Sequence, residues 1–211
     1  MSTQGRFSIK SDKPPLLFIA SLGNPSPSYD STRHSVGHRI LKLYTTRFNF
    51  QQVKENGFTF YKNVENDNIV CFKTSGYMNL SGKSLSKSWN HILKTKSNDY
   101  NPILIILHDE MDVELGSIKI RKQGSSHRGH NGLRNIQEVI GKGYTGIQIG
   151  IGRNYSGGDG KSRNSDLVSD YVLGKFKRDE VEVLETTTIE KFENIVDQMC
   201  NGLYIYDKQK N

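Results

Sequence analysis

Two cysteines in 211 residues, Cys71 and Cys200, stand far apart in the chain. They argue against a disulfide framework and favour a reducing compartment. No run of eighteen apolar residues exists, so no helix is expected to span a membrane. The opening residues lack the apolar stretch of a secretory signal. Neither cysteine has a neighbouring motif and no Gly-x-Ser-x-Gly elbow occurs, which leaves a serine or cysteine acyl-enzyme little support. Internal repeats and a clear domain boundary are also absent. Hydrophobic residues make up only 34%, yet a chain of this length can still bury a core.

What is present is positive charge in one place. The chain carries a net charge of +7. The segment from Ser117 to Arg163 alone holds nine basic and two acidic residues, an excess of seven, and the remainder is balanced. A localised basic surface suggests a polyanionic partner, nucleic acid first; a solubilising face is the plainer alternative. Residues 1–15 are polar, Ser-rich and basic, which suits a flexible tail or a weak organellar targeting segment. A mitochondrial or a cytoplasmic location both fit, and secretion does not.

The elements alternate. Leu16–Leu22 reads as a strand closed by Gly23-Asn24-Pro25. Ser31 or Thr32 is expected to cap a helix with Val36, Ile40, Leu43 and Tyr44 on its apolar face. Phe58–Val64 and Ile69–Lys73 form a predicted hairpin, and Asn79–Leu93 a helix. Ile103–Leu107 is a buried strand, Ser117–Lys122 a strand with one basic face, and Asn131–Ile140 a helix ended by Gly141. Gly146–Ile151 is a strand, 154–165 an exposed loop, and one long helix runs from about Arg178 to Met199. Strands interleaved with helices predict a single α/β domain around a twisted, mixed, mostly parallel sheet flanked by helices.

The chemistry concentrates between His108 and Arg134. Asp109 ends the buried strand, where open α/β sheets place their sites, and could orient a histidine. The loop Gly124–Gly132 opens onto a helix and offers imidazole, amide and backbone N–H groups to a phosphate or an oxyanion. His108 reads as a buried, hydrogen-bonded strand residue. His34 and His38 lie four apart on a predicted helix, but no Glu follows His34 and no third ligand is evident, so a zinc site is not expected. His34, beside Arg33 near a helix start, fits a general base better. Asn24 is either a turn residue or an amide aimed into a cleft. Tyr77–Ser84 approaches a phosphate-binding loop through Gly82-Lys83-Ser84, but Tyr77 stands where its first glycine belongs. A His–Asp pair with amides and no covalent nucleophile suits water attack on an activated carbonyl such as an ester.

Five segments in order resemble the bacterial-type peptidyl-tRNA hydrolase family: LGNPSPSYDSTRHSVG at Leu22–Gly37, YMNLSG at Tyr77–Gly82, LHDEMDVELGSIKIRKQGSSHRGHNGLRNI at Leu107–Ile136, IQIGIGR at Ile147–Arg153 and SDYVLGKF at Ser169–Phe176. The resemblance implies that residues 16–211 form a catalytic domain that hydrolyses the ester between peptide and tRNA, with no metal or cofactor. It implies His34 as base, Asp109 as its orienting partner and Asn24 as a catalytic amide. Tyr29, Met78, Asn79, His130 and Asn131 match substrate-binding positions. Arg121 and Lys122 would hold tRNA phosphates, with Arg128 and Arg153 extending the grip. A monomer with peptidyl-tRNA as its partner is expected. Ser35 departs from the Asn usual after the base, Arg128 adds bulk to a loop that is usually richer in glycine, and Gln148 replaces a position that is often basic. A non-catalytic RNA-binding relative is the competing reading.

Overall fold

The centre of the computed structural model, which describes residues 12–153 and 165–204, is the strand that the sequence makes most apolar. β1 (Pro15–Ser21) is buried at every position and is flanked on both sides by parallel neighbours, β4 (Ile69–Lys73) and β5 (Asn101–Glu110). Strands covered on both faces read as continuous rather than alternating apolar runs. β7 (Thr145–Gly150) pairs parallel with β5, and β6 (Ile118–Arg121) closes that edge antiparallel to β7. On the other side β3 (Phe58–Asn63) pairs antiparallel with β4, and β2 (Phe50–Glu55) with β3. The sheet order is β2-β3-β4-β1-β5-β7-β6.

The expected hairpin of β3 and β4 is present, but β2 is an addition to it. Glu55 faces Phe58 in the register, which leaves Asn56-Gly57 as a two-residue turn with φ of 50° and 78°. Asn-Gly is the pair that tolerates both positive dihedrals of a type I′ hairpin.

Side-chain alternation divides the core into two layers. Leu17 and Ile19 pack with α1 (Val36–Arg47) and α6 (Ile189–Cys200), through Val36, Ile40, Tyr44, Phe192 and Val196. Leu16, Phe18 and Ala20 point the other way, onto α2 (Ser81–Lys96) and α3 (Asn131–Ile140), where Leu85, Ile92, Leu133 and Ile136 wait. The long C-terminal helix is not uniform. α5 (Arg178–Val183) passes through a π-turn at Leu184–Thr188 before α6, which keeps Leu184 and Phe192 both buried. A further helix, α4 (Ser165–Leu173), follows the expected 154–165 loop, of which residues 154–164 lie outside the described residues, as do 1–11 of the expected tail.

Neither Ser31 nor Thr32 caps α1. The helix is led in by a 3-10 turn over Arg33–Ser35, and the Thr32 hydroxyl donates to the Tyr29 carbonyl instead. Among the described residues no helix is long and apolar enough to cross a membrane. Cys71 and Cys200 are both free.

Candidate active site

The carboxyl ends of β1 and β5, the 3-10 turn before α1 and the start of α3 converge on one carboxylate. Asp109, the penultimate residue of β5, is 5% exposed. Its Oδ1 meets His34 Nδ1 at 2.8 Å and His130 Nε2 at 3.0 Å. The rest of each ring settles the proton positions. His130 caps α3, and its Nδ1 accepts the Leu133 N–H at 3.2 Å. Nε2 must then carry the proton that His130 donates to Asp109. His34 Nδ1 donates to the same oxygen, so Nε2 is the His34 atom left to accept a proton.

Burial works against charge on both groups, but the pair overrides it. Desolvation lowers the His34 pKa, while the Asp109 charge and hydrogen bond raise it, and the net shift is upward. Desolvation raises the Asp109 pKa, yet the facing imidazoles and their hydrogen bonds hold it well below the usual carboxylate range. Asp109 is therefore ionised and His34 is a stronger base than a free imidazole. His108 stands behind the pair, edge-on to His130 at 5.3 Å between ring centres. It donates from Nδ1 to the Asp109 carbonyl at 2.8 Å, and burial pushes its pKa down to about 3. It is a neutral structural histidine, as its place inside an apolar strand suggested.

His34, Asp109 and His130 are also a geometric candidate for chelating a cation. Their facing atoms are already engaged with each other, and His130 Nδ1 holds the helix cap. A metal would have to break both hydrogen bonds to Asp109.

The candidate amides have their own local partners. Asn24 is 7% exposed, and its Oδ1 accepts the Met78 N–H at 2.8 Å. Its Nδ2 therefore turns away with two N–H groups to offer. Ser35 is fully buried, accepts from the Asn24 backbone N–H at 3.1 Å and lies with its hydroxyl 3.3 Å from that of Thr32. The departure at Ser35 thus supports Asn24 from beneath rather than facing the cleft. Met78 is buried, whereas Asn79 is exposed in the 3-10 turn Met78–Leu80 and Asn131 is exposed at the start of α3. Tyr29 is half-buried, and its ring lies edge-on to Tyr77 at 6.4 Å. Gly82, the one matching glycine of the phosphate-loop approximation, donates its N–H to Asn135 Oδ1 at 2.8 Å, so that loop has no free cradle.

Two determinants escaped the reading of the sequence. Gly37 lets α1 lie directly on the sheet: a Cβ there would fall 2.7 Å from the Leu107 carbonyl oxygen and 2.8 Å from that of Leu22. That close approach is what brings His34 to Asp109. Arg33 fixes the same turn from the other side. Its guanidinium donates to both oxygens of Glu180 at 3.0 and 2.7 Å and to the Lys175 carbonyl at 2.7 Å. It also lies over the rings of Tyr171 and Phe176, at 4.7 and 5.3 Å. Backbone bonds from Arg33 to Gly174 and from Phe176 to Ser31 complete the strap. The signal for it was the SDYVLGKF segment, to which the sequence reading attached no site residue.

The basic residues sit beyond β7. Lys119 and Arg121 on β6, with Arg128 from the loop, line an open cavity of about 370 Å³ together with Glu110, Asp112 and Gln148. Lys122 and Arg128 are exposed, Arg128 at a positive φ of 49°. Arg153 is committed to Asp112 through a 2.7 Å hydrogen bond. Gln148, in the wall of this cavity, is buried, and its amide donates to Glu110.

Comparison with known proteins bears on the sequence and the fold as a whole. The family model described as peptidyl-tRNA hydrolase matches residues 18–210. A probable peptidyl-tRNA hydrolase of Schizosaccharomyces pombe is 37% identical over 187 residues, covering 87% of this chain and 83% of its own. The peptidyl-tRNA hydrolase of Rickettsia canadensis is 35% identical, covering 86% of this chain and 92% of its own. Among solved structures, the peptidyl-tRNA hydrolase of Acinetobacter baumannii superposes with a TM-score of 0.69 at 26% identity, over 93% of this chain and 98% of that one. By sequence and by fold, the chain belongs to the peptidyl-tRNA hydrolase family.

Proposed function

We propose that the protein hydrolyses the ester that joins a peptide to the 3′ end of tRNA, releasing a free peptide and a reusable tRNA. The observation that carries this reading is the His34–Asp109 pair, which holds His34 by Nδ1 and leaves Nε2 as its basic nitrogen. His34 Nε2 takes a proton from water as the oxygen attacks the ester carbonyl. The ionised Asp109 stabilises the imidazolium that forms. The carbonyl oxygen becomes an oxyanion within reach of amide N–H₂ groups, for which Asn24 and Asn131 are the candidates. Collapse breaks the bond to the ribose oxygen, and the imidazolium returns its proton to that leaving group. An ester leaves more readily than an amide, so no acyl-enzyme is needed, and the route uses protein groups and water alone.

Tyr29, Met78 and Asn79 flank the peptide in this reading, and His130 acts mainly by holding Asp109. Arg121, Lys122 and Arg128 contact phosphates of the acceptor arm, with Arg153 held in reserve by Asp112. Such contacts set affinity and salt dependence rather than sequence choice. In this reading the protein acts as a monomer.

The test is incubation with a peptidyl-tRNA and with uncharged tRNA at two salt concentrations. Release of free peptide by wild type and its loss in His34→Ala, with the fold retained by circular dichroism, is expected. Tight RNA binding with no cleavage by wild type would instead favour the non-catalytic alternative.

A further inference from the structure

A second cavity, of about 390 Å³, opens on the other flank of the sheet. Its wall begins at Asn24 and passes Ser26 to Lys73 at the end of β4, then to Tyr61 and Gln52, which face each other within β3 and β2. The sheet order places it on the opposite side of β1 and β5 from the basic cavity of β6 and β7. An ester of peptide and tRNA has one polyanionic half and one peptide half. If the anionic half takes the basic flank, the peptide half is directed past Asn24 to this one. The inference rests on the function proposed above.

The chemistry of the lining is specific. Among the described residues Lys73 is the single formal charge lining it, because no carboxylate of theirs lines the cavity and burial holds His38 neutral, its pKa pushed down to about 3. The Lys73 ammonium donates to the Ser26 hydroxyl at 2.8 Å and stands 4.0 Å from Asp30, at the limit of an ion pair. Its side chain is 40% exposed, so at least one N–H remains to be offered. Hydroxyls of Ser26, Thr59 and Tyr61 surround it with adaptable partners. Its volume is within the range of small-ligand sites.

We propose that this cavity is a subsite for the peptide upstream of the ester-linked residue, and that Lys73 makes it select an acidic side chain there over a basic one. Discrimination by a single half-exposed charge is modest, about three- to tenfold in kcat/KM, and it appears in KM.

The experiment uses N-acetylated dipeptidyl- and tripeptidyl-tRNAs that differ only in having Glu, Gln or Lys at one upstream position. Wild type is expected to prefer Glu over Lys at one of those positions. The ratio should fall to about one in Lys73→Met and invert in Lys73→Glu. Equal kcat/KM for Glu and Lys substrates at every position, or an unchanged ratio in Lys73→Met, overturns the proposal. In parallel, the free N-acetylated peptides are titrated into the protein, and the acidic ones should bind more tightly than the basic ones. If wild type cleaves none of the tRNA esters, the hydrolase reading falls, and the titration alone then decides the cavity: no difference between acidic and basic peptides overturns it.

Discussion

At the scale of single residues, one carboxylate oxygen serves two histidines, and the two are not equivalent. His34 keeps a free nitrogen, whereas both nitrogens of His130 are engaged, one by Asp109 and one by the α3 backbone. Replacing Asp109 with Asn should therefore do two things. The rate should drop by about 10²- to 10⁴-fold, as expected when an imidazole loses its orienting anion. The acid limb of the pH–rate profile should also move. His34 must be unprotonated to act, and its pKa is raised, so wild-type kcat/KM should fall as pH drops through a midpoint above 6.5. Without the Asp109 charge, burial alone remains and the midpoint should shift to lower pH. A profile for Asp109→Asn with the wild-type midpoint would remove His34 from the role of base. His130→Leu should lose activity by a smaller factor and destabilise α3 by about 1 kcal/mol through the lost cap, measurable by urea denaturation. His34 and Asp109 were legible in the sequence as a candidate base and its orienting acid, whereas Asn24 stayed open between turn and cleft amide and Asn131 entered through the family resemblance alone. The shared oxygen was not legible, since it depends on two helix starts meeting above a strand, with His34 and Asp109 separated by 75 positions.

At the scale of elements, the catalytic turn is positioned by parts with no chemistry of their own. The 3-10 turn Arg33–Ser35 is pressed between the sheet, through Gly37, and the C-terminal helices, through Arg33. Arg33 and Glu180 are mostly buried, with side chains 9% and 19% exposed. Removing one partner leaves an uncompensated charge, and Arg33→Ala should cost about 3 kcal/mol or more of stability. Because the turn carries His34, kcat should fall while KM changes little, and Glu180→Gln should show the same pattern more weakly. A double variant no worse than Arg33→Ala would confirm that the two act as one strap; fully additive losses would refute it. The same reasoning explains which elements the sequence hid. β1, β5 and α3 are announced by long apolar runs or a strong 3.6-residue period. β2 has no apolar run, and the Asn56-Gly57 turn that joins it to β3 was passed over. The π-turn in the last helix leaves the apolar stripe intact, so periodicity passes over it.

At the scale of the whole molecule, charge is distributed by function and burial fixes the response to pH. The basic excess read from Ser117–Arg163 has a structural counterpart in Lys119, Arg121 and Arg128 around one cavity. Each of these that neutralises a phosphate should contribute about 0.7–0.9 to the slope of log affinity against log salt, so Arg121→Gln should flatten that slope by roughly one for tRNA without changing cleavage of saturating substrate. Acid stability is governed elsewhere. His38 and His108 are held neutral, on opposite sides of the sheet, with pKa values pushed down to about 3 by burial. In the unfolded chain both would titrate near 6.5. Below that value the unfolded state binds two protons that the folded state refuses, so stability is lost as pH falls from 6.5 toward 3, by about 2.7 kcal/mol per pH unit once both are fully linked. His34 has the opposite sign: its raised pKa adds stability that is complete below 6.5 and fades as pH rises through the folded value. Together they predict a maximum close to 6.5 and a steep acid limb. His108→Asn should halve the slope of that limb, read from urea midpoints between pH 6 and 4. An acid limb as steep in the variant as in wild type would mean that His108 is protonated in the folded protein.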